Sequence, residues 1–286
     1  MAADPPFRHR TCPARLRRGP HTAHGESAVG LWQTGGGKRR IVSMPLQATK
    51  RLYSQDDHCF ETGAMVIAIQ DSRFALDQTC FYPGGGGQPS DNGFATLPDG
   101  SRIEIDSALI DKEQIIWHVC NSELKPELVG RKISVTINSE RRLSLSRYHT
   151  VLHIVNTITL RDYKGWITGV QIGEEYSRID FNLEILTTEL CAELEAKVNA
   201  VLLEGHLITS YLMTEGEYRN RPELLRTLNV KPPIVDDRVR VVEIRGFDIQ
   251  ACGGTHVGST LDLGRFSIFR TENKGRRNKR LYIKLR

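Results

Sequence analysis

Arg147-Tyr-His-Thr-Val-Leu-His-Ile154 lies where the periodicity of the chain changes, and that change decides the fold. Across residues 140–160, Leu143, Val151, Leu152, Val155 and Ile158 recur at helical spacing with no Gly or Pro among them, so a helix is expected there. Upstream, candidate strands at 64–69, 73–81, 102–105, 114–119 and 131–137 are separated by turn residues at 83–87, Asp91-Asn-Gly93 and Pro98-Asp-Gly100. Five short strands so spaced suggest a small β-barrel or folded sheet. Downstream, 169–172 and 176–183 read as strands. A second helix at 188–204 carries Leu190, Leu194, Val198, Val201 and Leu202 on one stripe, the mark of core packing. Further strands at 207–213, 238–243, 247–251, 265–269 and 280–285 complete the chain. The expected fold class is α+β: a small N-terminal β-barrel-like domain over 44–138, then a two-layer α/β domain over 139–286 with a mostly antiparallel sheet.

Composition bounds the function classes. With 39% hydrophobic and 26% charged residues, the 286-residue chain is that of an ordinary globular protein with sequence enough for two domains. No apolar run approaches the roughly 18–20 residues of a membrane span, so no membrane partner is expected. Six scattered cysteines without a Cys-x-x-Cys pair or a secretory signal favour a reducing, cytoplasmic setting over a disulfide framework. The net charge of +5 is not a property of the body of the chain. Residues 1–43 hold eight of the 39 Lys and Arg against two of the 34 acids, leaving the remainder near neutral. That basic segment, rich in Pro, Gly and Arg and lacking periodicity, reads as a disordered extension. Its Pro and Gly content disfavours an organelle-targeting helix. Its Gly35-Gly-Gly-Lys38 is no phosphate loop, because Arg39 stands where Ser or Thr would hold magnesium.

On a helix, positions i and i+4 share a face, so His149 and His153 can converge on one ion. About a hundred residues later, Cys252-Gly-Gly-Thr-His256 can bring a thiolate and a third imidazole to it, the paired glycines allowing a tight turn. Imidazole and thiolate donors without a carboxylate cage suit one zinc ion. A closed four-ligand zinc would only staple helix to loop, whereas a catalytic zinc keeps a position open. The residues leave both readings open. Zinc-protease chemistry is unsupported, since Thr150 stands where His-Glu-x-x-His has its general base. A second feature is Tyr82-Pro-Gly-Gly-Gly-Gly-Gln-Pro89: Gly84, Gly85, Gly86 and Gly87 either form a flexible turn or let the backbone approach a substrate with bare N–H donors.

Taken together, His149-x-x-x-His153, Cys252-Gly-Gly-Thr-His256 and the glycine-rich segment resemble the editing domain of alanyl-tRNA synthetase and its free-standing relatives, the AlaX alanyl-tRNA editing proteins. The resemblance runs from about Met44 to Arg286 and includes Gly264-Arg-Phe-Ser-Ile-Phe-Arg-Thr-Glu-Asn-Lys-Gly275. Threonyl-tRNA synthetase shares the two zinc motifs, but the glycine-rich segment points to the alanyl branch.

The resemblance implies zinc ligands at His149, His153, Cys252 and His256 and catalytic-site residues at Gln171 and Thr168, the latter discriminating a substrate hydroxyl. It also implies substrate contacts from Gly84, Gly85, Gly86, Gly87 and Gln88. The implied activity is hydrolysis of tRNA(Ala) carrying a non-cognate amino acid, serine or glycine, by a protein acting in trans. Zinc would activate water or only orient the ester. The implied partner is that tRNA; a monomer is expected. Lys274, Arg276, Arg277, Lys279 and Arg280 form the densest basic cluster outside residues 1–43, with Lys274, Arg276 and Arg277 as expected phosphate contacts. The competing class is a non-catalytic tRNA-binding module with structural zinc.

Overall fold

A computed structural model of the chain describes residues 30–32, 41–44, 46–226 and 232–286. Six strands form a closed barrel: β1 (Glu61–Gln70), β2 (Arg73–Leu76), β3 (Gly93–Thr96), β4 (Arg102–Ile110), β5 (Ile116–Cys120) and β6 (Lys132–Ile137). The order is β1-β6-β3-β4-β5-β2 and back to β1, antiparallel throughout. β1 closes the ring because it is long enough to serve two partners. Its first half pairs with β6, from Glu61 opposite Thr136 to Met65 opposite Lys132, and its second half with β2. Strict alternation fills the interior, with Ile133, Val135 and Ile137 of β6 joining Val66, Leu76 and Ile105 in one core. The sequence reading lacks β3, whose four residues begin on the last residue of the Asp91-Asn-Gly93 turn triplet.

Two short strands, Gly30–Trp32 and Ile41–Ser43, pair with each other, and the second extends along β1 beyond the end of β6. Here the structure differs from the expectation of a structureless segment through residue 43. Residues 1–29 and 33–40, including Gly35–Lys38, lie outside the described residues.

The second half follows in chain order: α1 (Ser139–Tyr163), β7 (Trp166–Gln171), β8 (Ser177–Asn182), α2 (Thr188–Leu203), β9 (Ile208–Thr214), α3 (Glu215–Arg219), β10 (Ile234–Val235), β11 (Arg238–Ile244), β12 (Asp248–Ala251), β13 (Phe266–Gly275) and β14 (Asn278–Leu285). The Asn138 side chain caps α1 by accepting from Arg141 N, and the helix ends where Lys164 turns left-handed. The α+β class is as expected, and the strands fall into two antiparallel sheets. One runs β7-β8-β14-β13; the other has β11 at its centre, with β9 on one side and β10 and β12 on the other. Ile179, Phe181, Leu281 and Ile283 of the first sheet pack against Val151, Val155 and Ile158 of α1 and Leu194 and Val198 of α2.

α1 is buried almost all round from Leu145 to Thr159. Leu143, counted in its apolar pattern, is instead exposed. One face of α1 meets the sheet. The other carries Arg142, Ser146, His149 and His153, all buried, toward the barrel and the segment after β12. Arg142 joins the two halves. Its guanidinium pairs with the Asp91 carboxylate and donates to Cys80 O at 2.7 Å and Asp57 O at 3.0 Å, while Asp91 also accepts from Tyr82 N at 2.6 Å. Both side chains are essentially fully buried. Replacing Arg142 with Met strands a buried carboxylate and is expected to cost roughly 3–5 kcal/mol in urea unfolding. A loss below about 1 kcal/mol would show the pair to be dispensable.

Candidate metal centre

His149 and His153 project from α1, and the five residues Cys252–His256 follow β12 directly, so a helix and a strand end supply the donors. The ligand atoms of His149, His153, Cys252 and His256 all lie within 4.8 Å of one another. His149 Nε2 stands 3.4 Å from Cys252 Sγ. Donors about 2.0–2.3 Å from a shared tetrahedral ion stand roughly 3.3–3.8 Å apart, so this spacing suits coordination. The loop approaches α1 closely enough that a Cβ on Gly254 would sit 2.1 Å from His149 Cε1. His256 Nε2 and His153 Nδ1 are buried without a hydrogen-bond partner among the described residues, as lone pairs facing an ion would be. These four residues are a group that can hold a metal ion.

Burial sets the protonation states. It pushes the His149 imidazole down to about 3, with the Arg240 guanidinium adding to the effect. His153 and His256 also fall well below the usual imidazole value, from burial first and then from neighbouring imidazoles. Burial pushes the Cys252 thiol up, against the Gly254 N–H that reaches its sulfur at 3.4 Å. All three imidazoles are therefore neutral and ready to ligate at pH 7, whereas the thiol must lose a proton.

Hydrogen bonds around the donors select the nitrogen that His149 and His256 offer. Gln88 Oε1 lies 2.7 Å from His149 Nδ1 and accepts its proton, which leaves Nε2 for the ion. The amide orientation follows from its other contacts: Nε2 donates to Thr255 Oγ1 at 2.8 Å, and Thr255 N donates to Oε1 at 3.2 Å. Thr150 donates to Ser146 O at 2.7 Å and so accepts from His256 Nδ1 at 3.1 Å, freeing His256 Nε2. Asp57 fixes the loop backbone by accepting from His256 N at 3.0 Å. Arg240, paired with Asp57 at 2.7 Å, donates to Gly254 O at 2.6 Å. Burial raises the Asp57 carboxyl, with Arg240 opposing that rise.

Gln88 was expected among the substrate contacts; it is 2% exposed and engaged on His149. All four glycines before it have positive φ. Gly87 O accepts from Ile172 N at 2.8 Å, and a Cβ on Gly87 would lie 2.8 Å from Val170 O. The glycine turn thus bridges the metal-binding group and the end of β7. Gln171 is exposed at that end, between the two residues the turn touches. Thr168, also exposed, donates to Asn278 Oδ1 at 3.2 Å. Neither Gln171 nor Thr168 is hydrogen-bonded to the four donors among the described residues.

The basic cluster carries fewer free charges than its sequence suggests. Lys274 pairs with Glu272 at 2.7 Å and Arg277 with Glu184 at 2.8 Å, while Lys279 is buried against the turn of its own hairpin. Arg280 is bound by Asp180 at 2.6 and 2.7 Å. Arg276 is exposed and makes no ion pair among the described residues. Sequence reasoning missed Asp57, Arg240 and Thr255 as supports. Thr255 lies inside the quoted motif, whereas Asp57 and Arg240 carry no local signal.

The family described as the threonyl and alanyl tRNA synthetase second additional domain matches residues 239–282, and class II (A) tRNA synthetases match 49–141. An alanyl-tRNA editing protein AlaX-M of Methanosarcina mazei is 34% identical over 247 residues, covering 83% of this chain and 96% of that protein. The AlaX-M of Saccharolobus solfataricus is 34% identical over 236 residues, covering 82% and 98%. An alanine–tRNA ligase of Methanothermobacter thermautotrophicus is 36% identical over 237 residues, 81% of this chain but 26% of the ligase.

Two outcomes are expected. Titrating Zn²⁺ into metal-free protein at pH 7 releases about one proton, from Cys252 and none from the neutral imidazoles. Calorimetry in buffers of different ionisation enthalpy measures this, and Cys252→Ala abolishes it; release of two or more would show that the histidines start protonated. Gln88→Ala weakens zinc binding roughly 10–100-fold in a chelator competition, because His149 loses the acceptor that fixes its tautomer.

Proposed function

The chain belongs to the AlaX family of alanyl-tRNA editing proteins, and on that premise we propose that it is a zinc-dependent deacylase. It acts in trans on tRNA(Ala) bearing a non-cognate amino acid, serine above all, with glycine as the other candidate. The observation that carries the reading is the convergence of His149, His153, Cys252 and His256, tied through Gln88 and the glycine turn to the end of β7 where Gln171 lies.

The chemistry follows from what an alanine pocket cannot do. It rejects serine poorly, since serine adds only a hydroxyl, whereas a second site that hydrogen-bonds the hydroxyl selects for it. Gln171 and Thr168 offer donor and acceptor groups at exposed positions three residues apart on β7. The glycine turn lies beside them without side chains in the way, its Gly85 N–H already donating to Gln88 O at 2.9 Å. Bound zinc supplies Lewis acidity for the ester, and the protein residues hold the aminoacyl end against it. Lys274, Arg276 and Arg277 contact RNA phosphates, with Arg276 contributing most because no carboxylate among the described residues opposes it.

One observation favours a second reading. Four donors together complete a tetrahedral shell, the arrangement of structural zinc, and a tRNA-binding module would need no more. Incubation with Ser-tRNA(Ala) and Ala-tRNA(Ala) separates the two. The zinc-loaded protein is expected to release serine faster than alanine, and Gln171→Ala to slow serine release about tenfold or more at unchanged zinc content. Zinc-loaded protein that binds both tRNAs and deacylates neither would establish the binding module instead.

A further inference from the structure

Arg240 is a buried cation beside a group of metal donors, and electrostatics alone would not place one there. It projects from β11 and is 5% exposed. After burial, its guanidinium is among the causes that hold the His149, His153 and His256 imidazoles below their ordinary value. The field that disfavours a proton on those rings also disfavours a metal cation among them. A residue that opposes the charge of the ion serves the site in some other way or not at all.

Its contacts show which. Nη1 donates to Gly254 O at 2.6 Å and to Cys252 O at 3.3 Å, Nη2 pairs with Asp57 Oδ2 at 2.7 Å, and Nε donates to Ser54 O at 3.2 Å. The Arg240 carbonyl accepts from Cys252 N at 3.0 Å, continuing the ladder between β11 and β12. The other Asp57 carboxylate oxygen accepts from His256 N at 3.0 Å, and the Asp57 carbonyl accepts from Arg142 of α1 at 3.0 Å. Arg240 and Asp57 together therefore hold the backbone of Cys252, Gly254 and His256: both donor-bearing residues of the loop and one of the glycines between them.

The loop needs such a hold. Gly253 and Gly254 allow the turn that brings a thiolate and an imidazole to one ion, and adjacent glycines also leave the chain unusually free to move. A loop that wanders binds an ion only through its competent fraction, so freeing it weakens apparent affinity by that fraction. Side chains in place of the glycines cannot stiffen it. A Cβ on Gly254 would collide with His149, and one on Gly253 would lie 2.8 Å from Pro233 Cγ. Order must come from partners outside the loop, and a guanidinium suits the task because its planar fork reaches carbonyls and a carboxylate at once, as an ammonium cannot. Asp57, which completes the hold, also offsets the charge of Arg240.

We propose that the Arg240–Asp57 pair is the positioning device of the metal centre, holding Cys252 and His256 through the loop backbone in their ion-binding geometry before any ion arrives. The inference concerns metal binding and is independent of whether the chain deacylates RNA.

The full chain, stripped of metal, is titrated with Zn²⁺ in a chelator competition and with Co²⁺ as a spectroscopic stand-in. Geometry and charge predict opposite signs. Arg240→Met removes a like charge, which by itself would tighten Zn²⁺ binding, whereas loss of the hold is expected to weaken it about tenfold or more. Arg240→Lys keeps the charge but loses the fork, and a similar weakening is expected. The thiolate-to-metal absorption of Co²⁺-loaded wild type should diminish in both variants. Both also disturb a buried ion pair and lose stability, so the wild type supplies a second measurement. In the metal-free protein, the Cys252 and His256 amides are expected to be protected already from hydrogen exchange. Zinc binding unchanged or tighter in Arg240→Met, wild-type affinity and spectrum in Arg240→Lys, or amides protected only once Zn²⁺ is added would each overturn the proposal. Wild type that binds neither ion would remove the metal centre and the positioning device with it. Deacylation of Ser-tRNA(Ala) is scored separately and bears on none of these results.

Discussion

Burial of the polar face of α1 is the constraint from which the rest of the arrangement follows. A helix that buries an arginine and two histidines cannot satisfy them from its own backbone, whose groups are committed to the helix itself. Each therefore dictates a neighbour. Arg142 requires Asp91 and the carbonyls of Asp57 and Cys80, which brings the barrel against the first turn. His149 requires Gln88, which fixes the glycine turn, and Thr150 requires His256, which fixes the segment after β12. The barrel, the distal loop and the helix are thus held in register by polar pairing, while the apolar face of α1 supplies the adhesion to the sheet.

The two faces of α1 also explain what was legible in the sequence. Val151, Val155 and Ile158 announced the helix through their period, and the histidine spacing and the Cys-Gly-Gly-Thr-His run announced the metal-binding group, because both signals are local. Barrel strands were legible where alternation is long, as in β6, and β3 was not, being four residues beside a turn. Asp57 and Arg240 reach the loop from about two hundred and a dozen residues away respectively, and no pattern marks either. Gln88 was legible as a functional position but not in its role, because a glutamine beside four glycines reads as a ligand contact until the partner of its amide is known. The basic cluster erred the other way: its charges are visible in the sequence, whereas two of the carboxylates that oppose them, Asp180 and Glu184, come from β8 and its flank.

The glycine turn has a mechanical consequence. Gln88 holds a metal-binding histidine while Gly87, its neighbour, is hydrogen-bonded to Ile172 just past β7. The turn therefore ties the tautomer-fixing acceptor to the strand end that carries Gln171. Left-handed φ at four successive residues is readily accommodated only by glycine, and at Gly87 a side chain would also collide with Val170. The glycines thus serve geometry at both ends of the turn, and their backbone exposure toward a ligand is a second use of the same conformation.

The polar groups that remain unpaired beyond His153 are of a different kind from those before it. The fold satisfies Arg142, Ser146, His149 and Thr150 by recruiting partners from far along the chain, whereas the Asn156 amide and the Thr157 hydroxyl have none among the described residues. Buried polar groups left unpaired there lower the stability of the protein. Satisfied and unsatisfied groups are therefore segregated along one helix face, and the roles separate with them. Its N-terminal half assembles the protein, and its middle gathers a group that can hold a metal ion.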